Sequence, residues 1–129
     1  MNIPTELIYS KEHEWLRVEE NVATIGITDY AQEELGDIVN VELPDEEDEV
    51  QKDEAFGAVE SVKASSEVFA PVTGKVVEVN EPLLDSPETI NEDPYDEGWM
   101  IRIEMKDSSE LDTLMDAAAY EAYIKEESK

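Results

Sequence analysis

Apolar residues along this chain recur mostly at every second position. They come in short runs interrupted by Gly, Pro, Asn and Asp, a pattern that predicts strands rather than long helices. Glu14 to Val18 and Val22 to Ile27 are two such runs, separated by Glu19-Glu20-Asn21 as a hairpin turn. Thr28 is placed to cap a short helix over Asp29 to Leu35, with an acidic residue in its first turn and Gly36 just past its end. Ile38 to Leu43 alternates Ile38, Asn40 and Glu42 against Val39, Val41 and Leu43. Ala55 to Ser61 and Glu67 to Val72 form a further strand pair around Val62 to Ser66, followed by Val76 to Val79 and Trp99 to Met105. Between them, Pro44 with the acidic run Asp45 to Glu49 reads as a solvated turn. Asn80 to Asp96, rich in Pro, Asp, Glu and Asn, reads as an irregular loop.

After Asp107 the period changes. Leu111, Leu114 and Met115 recur at helical spacing behind Asp107 or Ser108 as cap, and Asp116 can start a second helix carrying Ala119, Tyr120, Tyr123 and Ile124. The tail Lys125 to Lys129 is expected to fray. A faint internal repeat relates Gly36-Asp37-Ile38-Val39-Asn40-Val41-Glu42 to Gly74-Lys75-Val76-Val77-Glu78-Val79-Asn80. Two similar β units point to a mainly β fold, a quasi-symmetric sandwich or flattened barrel. The 129 residues suit one domain, with a core over about 9–106 and C-terminal helices over about 108–125. Trp15, Phe56 and Trp99 are expected in that core.

Charge changes the picture most. Thirty-five acidic residues stand against nine basic ones, a formal net charge of −26. Such a surface repels phosphate backbones and anionic lipid, so nucleic acid and membranes are poor partners. No Cys is present, which removes disulfides, thiolate metal sites and a thiol nucleophile. Met1 to Glu6 has neither a basic n-region nor an apolar h-region, and no apolar run reaches a membrane span. The expectation is a cytoplasmic protein.

Candidate chemistry is sparse. His13 is the one histidine, no Gly-x-Ser-x-Gly surrounds a serine, and the five glycines form no phosphate loop. Carboxylates are too abundant for their pairing to mean anything, and Asp45 to Asp53 lacks the pattern of a calcium loop. Asn91-Glu92-Asp93 reads mostly as loop. Lys63 stands out, central in a turn between two strands and flanked by Ser61, Val62, Ala64, Ser65 and Ser66. A hairpin tip fixes the base of the side chain and frees its amine, which suits a lysine that another protein must find and acylate. An exposed lysine at a turn is equally an ordinary relief of like-charge repulsion.

The segment Gly57-Ala58-Val59-Glu60-Ser61-Val62-Lys63-Ala64 resembles the lipoyl-attachment segment of the glycine cleavage H proteins. Glu12-His13-Glu14-Trp15, Gly26-Ile27-Thr28-Asp29-Tyr30-Ala31-Gln32, Leu35-Gly36-Asp37-Ile38-Val39 and Val41-Glu42-Leu43-Pro44 are similar to that family at matching relative positions. So are Ala70-Pro71-Val72-Thr73-Gly74, Asn91-Glu92-Asp93-Pro94-Tyr95 and Gly98-Trp99-Met100-Ile101. The resemblance runs from about Tyr9 to Tyr123. The acidity exceeds what is usual in the family.

The resemblance implies a biotinyl/lipoyl-type β domain that is not an enzyme. It implies lipoic acid as an amide on Lys63, and carriage of an aminomethyl group between enzymes of glycine breakdown. The implied partners are glycine decarboxylase (the pyridoxal-phosphate P protein), the folate-dependent aminomethyltransferase (T protein), dihydrolipoyl dehydrogenase (L protein) and a lipoyl-attaching enzyme. It also implies that the tip of the arm folds back to Glu14 and Glu67, with Glu12 as a further neighbour of the cationic cargo. Glu60, Ser61, Val62 and Ala64 would then serve recognition by the attaching enzyme. Lack of Cys fits this, since a neighbouring thiolate exchanges with a disulfide. Two other readings compete: a lipoyl or biotinyl domain of another complex, and an unmodified acidic module that binds a basic partner. Dehydrogenase lipoyl domains carry Asp-Lys-Ala and biotinyl domains Met-Lys-Met, and Val62-Lys63-Ala64 matches neither completely.

A chain this acidic is destabilised by self-repulsion that salt screens, which fits work in a salt-rich cytoplasm as well as plain solubility. In the high-salt reading the melting temperature rises by several degrees between dilute buffer and about 1 M KCl, where the screening length falls to about 3 Å. Thermal unfolding at increasing KCl measures this, and equal stability in dilute buffer would leave solubility alone.

Overall fold

The computed structural model describes residues 2–127. Nine strands form two antiparallel sheets. β1 (Ile8–Tyr9), β2 (Glu14–Glu19), β3 (Val22–Ile27), β5 (Glu49–Val50), β8 (Gly74–Val79) and β9 (Ile101–Met105) make a six-stranded sheet in the order β1-β2-β3-β9-β8-β5. β4 (Ile38–Glu42), β6 (Ala55–Ser61) and β7 (Ser65–Phe69) make a three-stranded sheet in the order β4-β6-β7. The main core between them includes Leu16, Ile25, Val41, Val59, Val76 and Ile103, all buried. A second cluster joins the two ends of the chain, where Leu7, Tyr9 and Trp15 pack against Ala117, Tyr120 and Ile124. The architecture is the mainly β, two-sheet fold expected from the pattern.

Local chemistry sets the first helix. α1 (Asp29–Leu35) starts at Thr28, whose extended backbone lets its hydroxyl accept the N–H of Ala31 at 3.2 Å. It ends at Gly36, whose φ of 82° lies in the left-handed region that a residue with a Cβ adopts at a cost. Gly26, opposite Trp15 in the β2–β3 ladder, makes room instead, since a Cβ there would meet the indole at 2.8 Å.

The strict alternation expected of Ile38 to Leu43 fails. Ile38 and Val41 are both buried while Val39 is 54% exposed, because the β4–β6 register shifts between Ile38 and Asn40. A β-bulge inserts one residue and throws its side chain outward. The β8–β9 register shifts between Val76 and Glu78, and Val77 is exposed in turn. The two shifts fall at matching positions of the internal repeat, so the repeat is structural as well as compositional.

Other boundaries move. β1 and β5 are short strands that no pattern announced. β7 begins at Ser65 and ends at Phe69 rather than running from Glu67 to Val72, and β9 begins at Ile101 rather than Trp99. The supposed irregular loop contains α2 (Pro82–Asp85) and α3 (Thr89–Glu92), which bury Leu83 and Ile90. Asp107 caps a 3-10 turn over Ser108–Thr113, not an α-helix, while α4 (Ala117–Glu127) begins after Asp116, whose carboxylate accepts the N–H of Ala119. Lys125 to Glu127, expected to fray, belong to this helix; the rest of that tail, 128–129, lies outside the described residues. Trp15 and Phe56 are core, whereas Trp99 is half-buried with the Arg102 guanidinium over its ring at 4.3 Å. Among the described residues no helix is long and apolar enough to cross a membrane.

If the bulge decides which valine stabilises β4, Val41→Ala costs about 2–3 kcal/mol, the loss of a buried side chain. Val39→Ala changes stability by less than about 0.5 kcal/mol, as an exposed surface position does. Urea unfolding of the two variants measures the difference.

Candidate carrier-lysine site

The β6–β7 hairpin presents Lys63 at its tip. Ser61 organises the turn: its backbone N–H donates to the Ala64 carbonyl at 2.7 Å, and its hydroxyl oxygen accepts the N–H groups of Lys63 and Ala64 at 3.3 and 3.1 Å. The tip is also tied from behind, because the Val62 N–H donates to the Asp37 carbonyl at 3.1 Å. Asn91 holds the two residues that flank Asp37. Its Nδ2 donates to the Gly36 carbonyl at 2.9 Å and its Oδ1 accepts the Ile38 N–H at 2.8 Å. Asn91 is thus a clamp rather than plain loop, and nothing in the local sequence announced it.

The turn backbone is fixed, and the side chains on it are free. Val62, Lys63 and Ala64 are exposed, Val62 at 71%. Among the described residues no carboxylate pairs with the Lys63 ammonium, although the chain is dense in them; the ion pairs of lysine are Lys75–Glu47 and Lys106–Glu49. The Lys63 stem passes Gly36 closely enough that an added Cβ there would sit 3.5 Å from Cε. Glu60 and Ser61 are half-buried beside the tip, and Asn40 Nδ2 donates to the Glu60 carboxylate at 2.8 Å.

From the tip a shallow trough follows the outer face of the three-stranded sheet. Ala58, Ser65 and Glu67 line it, and it ends at Phe69. Phe69 also lines a cleft of about 280 Å³ that holds Glu12, Glu14, Lys52 and Asp53. Ser65–Phe69 spans about 13 Å at roughly 3.3 Å per residue. The Lys63 tip and the cleft therefore lie at opposite ends of one strand.

Glu14 is the unusual residue of the cleft. It is 2% exposed. The Ser10 hydroxyl donates to its Oε1, and the Phe69 N–H donates to its Oε2 at 3.3 Å. Burial pushes its carboxyl up from the ordinary 4.5 to about 7, against the opposing pull of those two hydrogen bonds, with Glu12 and Asp53 adding like-charge repulsion. Of the three expected pocket carboxylates, the structure brings Glu12 and Glu14 together. Glu67 is exposed on the trough, outside the cleft, and connects to it through Phe69. Ser10, Asp53 and Phe69 belong to the cleft and were not expected there. Ser10 was legible only as a hydroxyl four residues before a glutamate, and Asp53 was hidden in an acidic run.

An exposed lysine on a fixed hairpin, a trough leading from it and a buried carboxyl at the far end define a carrier domain, which presents an attached group. A family profile described as Glycine cleavage H-protein matches residues 7–127. The chain is 61% identical over 127 residues to a glycine cleavage system H protein of Anaeromyxobacter sp. (strain K), covering 98% of this chain and 99% of the relative. It is 58% identical over 126 residues to the same protein of Staphylococcus epidermidis, covering 98% and 100%. A crystal structure of a glycine cleavage system H protein from Mycobacterium marinum superposes with a TM-score of 0.89 at 35% identity, covering 95% of this chain and 99% of that one. The chain belongs to the glycine cleavage H-protein family, the lipoyl carriers of the glycine cleavage system.

The Glu14 carboxyl links folding to pH. Below about 4.5 it is protonated in both folded and unfolded chains. Between 4.5 and about 7 the unfolded carboxyl ionises while the folded one keeps its proton, so stability falls as pH rises. Above about 7 the buried charge exerts its full penalty. Glu14→Gln removes that charge at the loss of one accepted hydrogen bond, and stabilises the fold by about 2 kcal/mol near pH 8 and by little near pH 5. Urea unfolding of both proteins at the two pH values measures this.

Proposed function

We propose that Lys63 carries lipoic acid as an amide and that the chain presents this arm in turn to the enzymes of glycine breakdown. The observation that carries the reading is Lys63 itself, an unpaired amine on the tip of a rigid hairpin in an otherwise acidic surface. The residues fit the group: the amine is open to an attaching enzyme, the turn beneath it is held by Ser61 and Asp37, and the trough gives an extended acyl chain a bed as far as Phe69. Glu60, Ser61, Val62 and Ala64 surround the amine and form the surface that the attaching enzyme reads.

The lipoyl group supplies a redox-active disulfide that accepts and releases the cargo; the chain supplies position. The cargo bears an amine, cationic at neutral pH. Glu14 meets it with a carboxyl at about 7, neutral enough to remain buried when the cleft is empty and ionised readily when a cation arrives. Glu12 borders the same cleft and adds negative potential, while Glu67 guides the cation along the trough. Phe69 and Leu114 keep water from the inner wall. Glycine decarboxylase, the aminomethyltransferase and dihydrolipoyl dehydrogenase are the enzymes the arm visits, and the cytoplasm is where it does so. A docking enzyme needs a basic rim to meet this surface.

Incubation with a lipoyl-attaching enzyme and lipoate raises the intact mass of the chain by one lipoyl amide, mapped to the peptide that contains Lys63. Lys63→Arg stays unmodified and transfers no one-carbon unit from glycine to folate, while its unfolding is unchanged. Modification elsewhere, or transfer by Lys63→Arg, would remove the reading. An unmodified chain that still binds a basic partner would support the acidic-module alternative.

A further inference from the structure

Glu14 is held by a loop, and the loop is held by the far end of the chain. The loop Ser10 to Glu14 closes on itself, with the Ser10 N–H donating to the Glu14 carbonyl at 3.0 Å and the His13 N–H to the Ser10 carbonyl at 3.1 Å. His13 has φ 70°, a left-handed backbone that turns its ring away from the cleft while Glu14 enters it. Inside the loop the Glu14 N–H also donates to the Ser10 hydroxyl at 3.1 Å. Further contacts come from outside the loop.

The His13 carbonyl accepts the Thr28 N–H at 3.0 Å, and the His13 Nδ1 lies 2.8 Å from the Tyr120 hydroxyl. The same hydroxyl lies 2.7 Å from Thr28 Oγ1. The three residues therefore form a closed ring of hydrogen bonds around the buried Tyr120 oxygen. Glu127, at the end of α4, reaches the other imidazole nitrogen at 3.0 Å. On the opposite side of the loop, Tyr9 and Met115 exchange both backbone hydrogen bonds at 2.8 Å, and the Tyr9 ring stacks on Tyr120 with centroids 4.6 Å apart. Tyr9 immediately precedes Ser10, whose hydroxyl holds Glu14. Both ends of the loop are thus clamped by the segment from Met115 to Glu127.

We infer that the C-terminal segment is the positioning element of the cargo cleft, and that Tyr120, acting through His13, is the positioning residue that keeps the Glu14 carboxyl buried and aimed at the cleft. The inference rests on the reading of Glu14 as partner of the cationic cargo and adds the element that governs it. Tyr120 touches neither the arm nor the cargo. Its hydroxyl holds the imidazole of His13, the residue before Glu14, and the side chain of Thr28, whose N–H binds the His13 carbonyl; without it the loop relaxes and water reaches the carboxyl.

Tyr120→Phe tests this, because it keeps the ring stacked on Tyr9 and removes the hydroxyl alone. His13→Asn is the second variant; Asn accepts a left-handed backbone and gives up the bridge to Tyr120 and Glu127. The first readout uses the unmodified full chain: the titration midpoint of the Glu14 side chain by carbon NMR. In both variants it falls from about 7 toward 4.5, by roughly half a unit or more. The second readout uses the lipoylated protein loaded from glycine by the decarboxylase. Loss of the amine to water speeds up roughly threefold or more in Tyr120→Phe, and the acceleration disappears in a Glu14→Ala background, since one residue acts through the other. The rate of lipoyl attachment at Lys63 stays unchanged. A midpoint that stays at about 7 in both folded variants overturns the inference, as does an acceleration that persists in full without Glu14. If Glu14→Ala alone fails to hasten amine loss, the cargo reading of Glu14 falls, while the midpoint still decides the positioning.

Discussion

The candidate site depends on a carboxyl group that is almost wholly withdrawn from water. Glu14 sits where β2, the end of β7 and the Ser10 loop meet, with one oxygen bonded to Ser10 and the other to the Phe69 N–H. Burying an ionised carboxylate is costly unless its lone pairs are met, and two bonds lessen the cost without cancelling it. The balance leaves the group near its point of titration at neutral pH. A hydrophobic residue would pack there with less penalty. Under the proposed function, an acid in that place is understood through what would approach it, a cation at the end of an arm that starts one strand away.

That geometry also separates two jobs that the charge density of the chain would otherwise confuse. With 35 acidic residues, negative potential covers the surface and attracts any cation without preference. Exposed carboxylates such as Glu67 and Glu12 act in high dielectric, where an ion pair contributes little. Glu14 acts where water is excluded, and its interaction with a cation is correspondingly stronger. Under the proposed function the surface would bring the cargo amine near, and the cleft would distinguish it from bulk salt. The Lys63 tip benefits from the same arrangement, since its ammonium stands clear of fixed partners within a field that draws basic enzyme surfaces toward it.

The parts legible in the sequence are those that neighbouring residues decide. Thr28, Asp29 and Gly36 carry the start, first turn and end of α1 in their own side chains or their lack of one, and the helix falls on the expected residues. The strand β6 and the turn that bears Lys63 are equally local. The parts that were not legible depend on distant partners. The bulge at Val39 arises from pairing with β6, which no alternation within β4 encodes. α2 and α3 lie in a segment of poor propensity; they bury Leu83 and Ile90 in the core, and Asn80 and Asn91 tie the segment to carbonyls elsewhere in the fold. Glu14 was nameable as a pocket residue only through resemblance. Among so many carboxylates, nothing in its own surroundings foretold burial, and Ser10, Phe69 and Tyr120 meet it, directly or through His13, only after folding.

The internal repeat makes sense of where lysine and support lie. β4 and β8 share their bulge and a Gly two residues before Ile38 and Val76, and each pairs with a later strand, β6 or β9. The two units diverge past those partner strands. Beyond β6 the chain makes a turn tied from outside by the Val62 bond to Asp37, and Lys63 sits there. Beyond β9 it enters the turn capped by Asp107, where the Glu110 carboxylate accepts both the N–H and the hydroxyl of Thr73 and pins the segment to the sheet. From there the chain reaches Met115, the bridge to Tyr9, and Tyr120. One β unit therefore ends in an exposed tip, and the other ends in a clamped return that holds Tyr9, just before the Ser10 to Glu14 turn, and His13 within it. Under the proposed function a carrier would use both, because an arm that swings must also have somewhere fixed to come to rest.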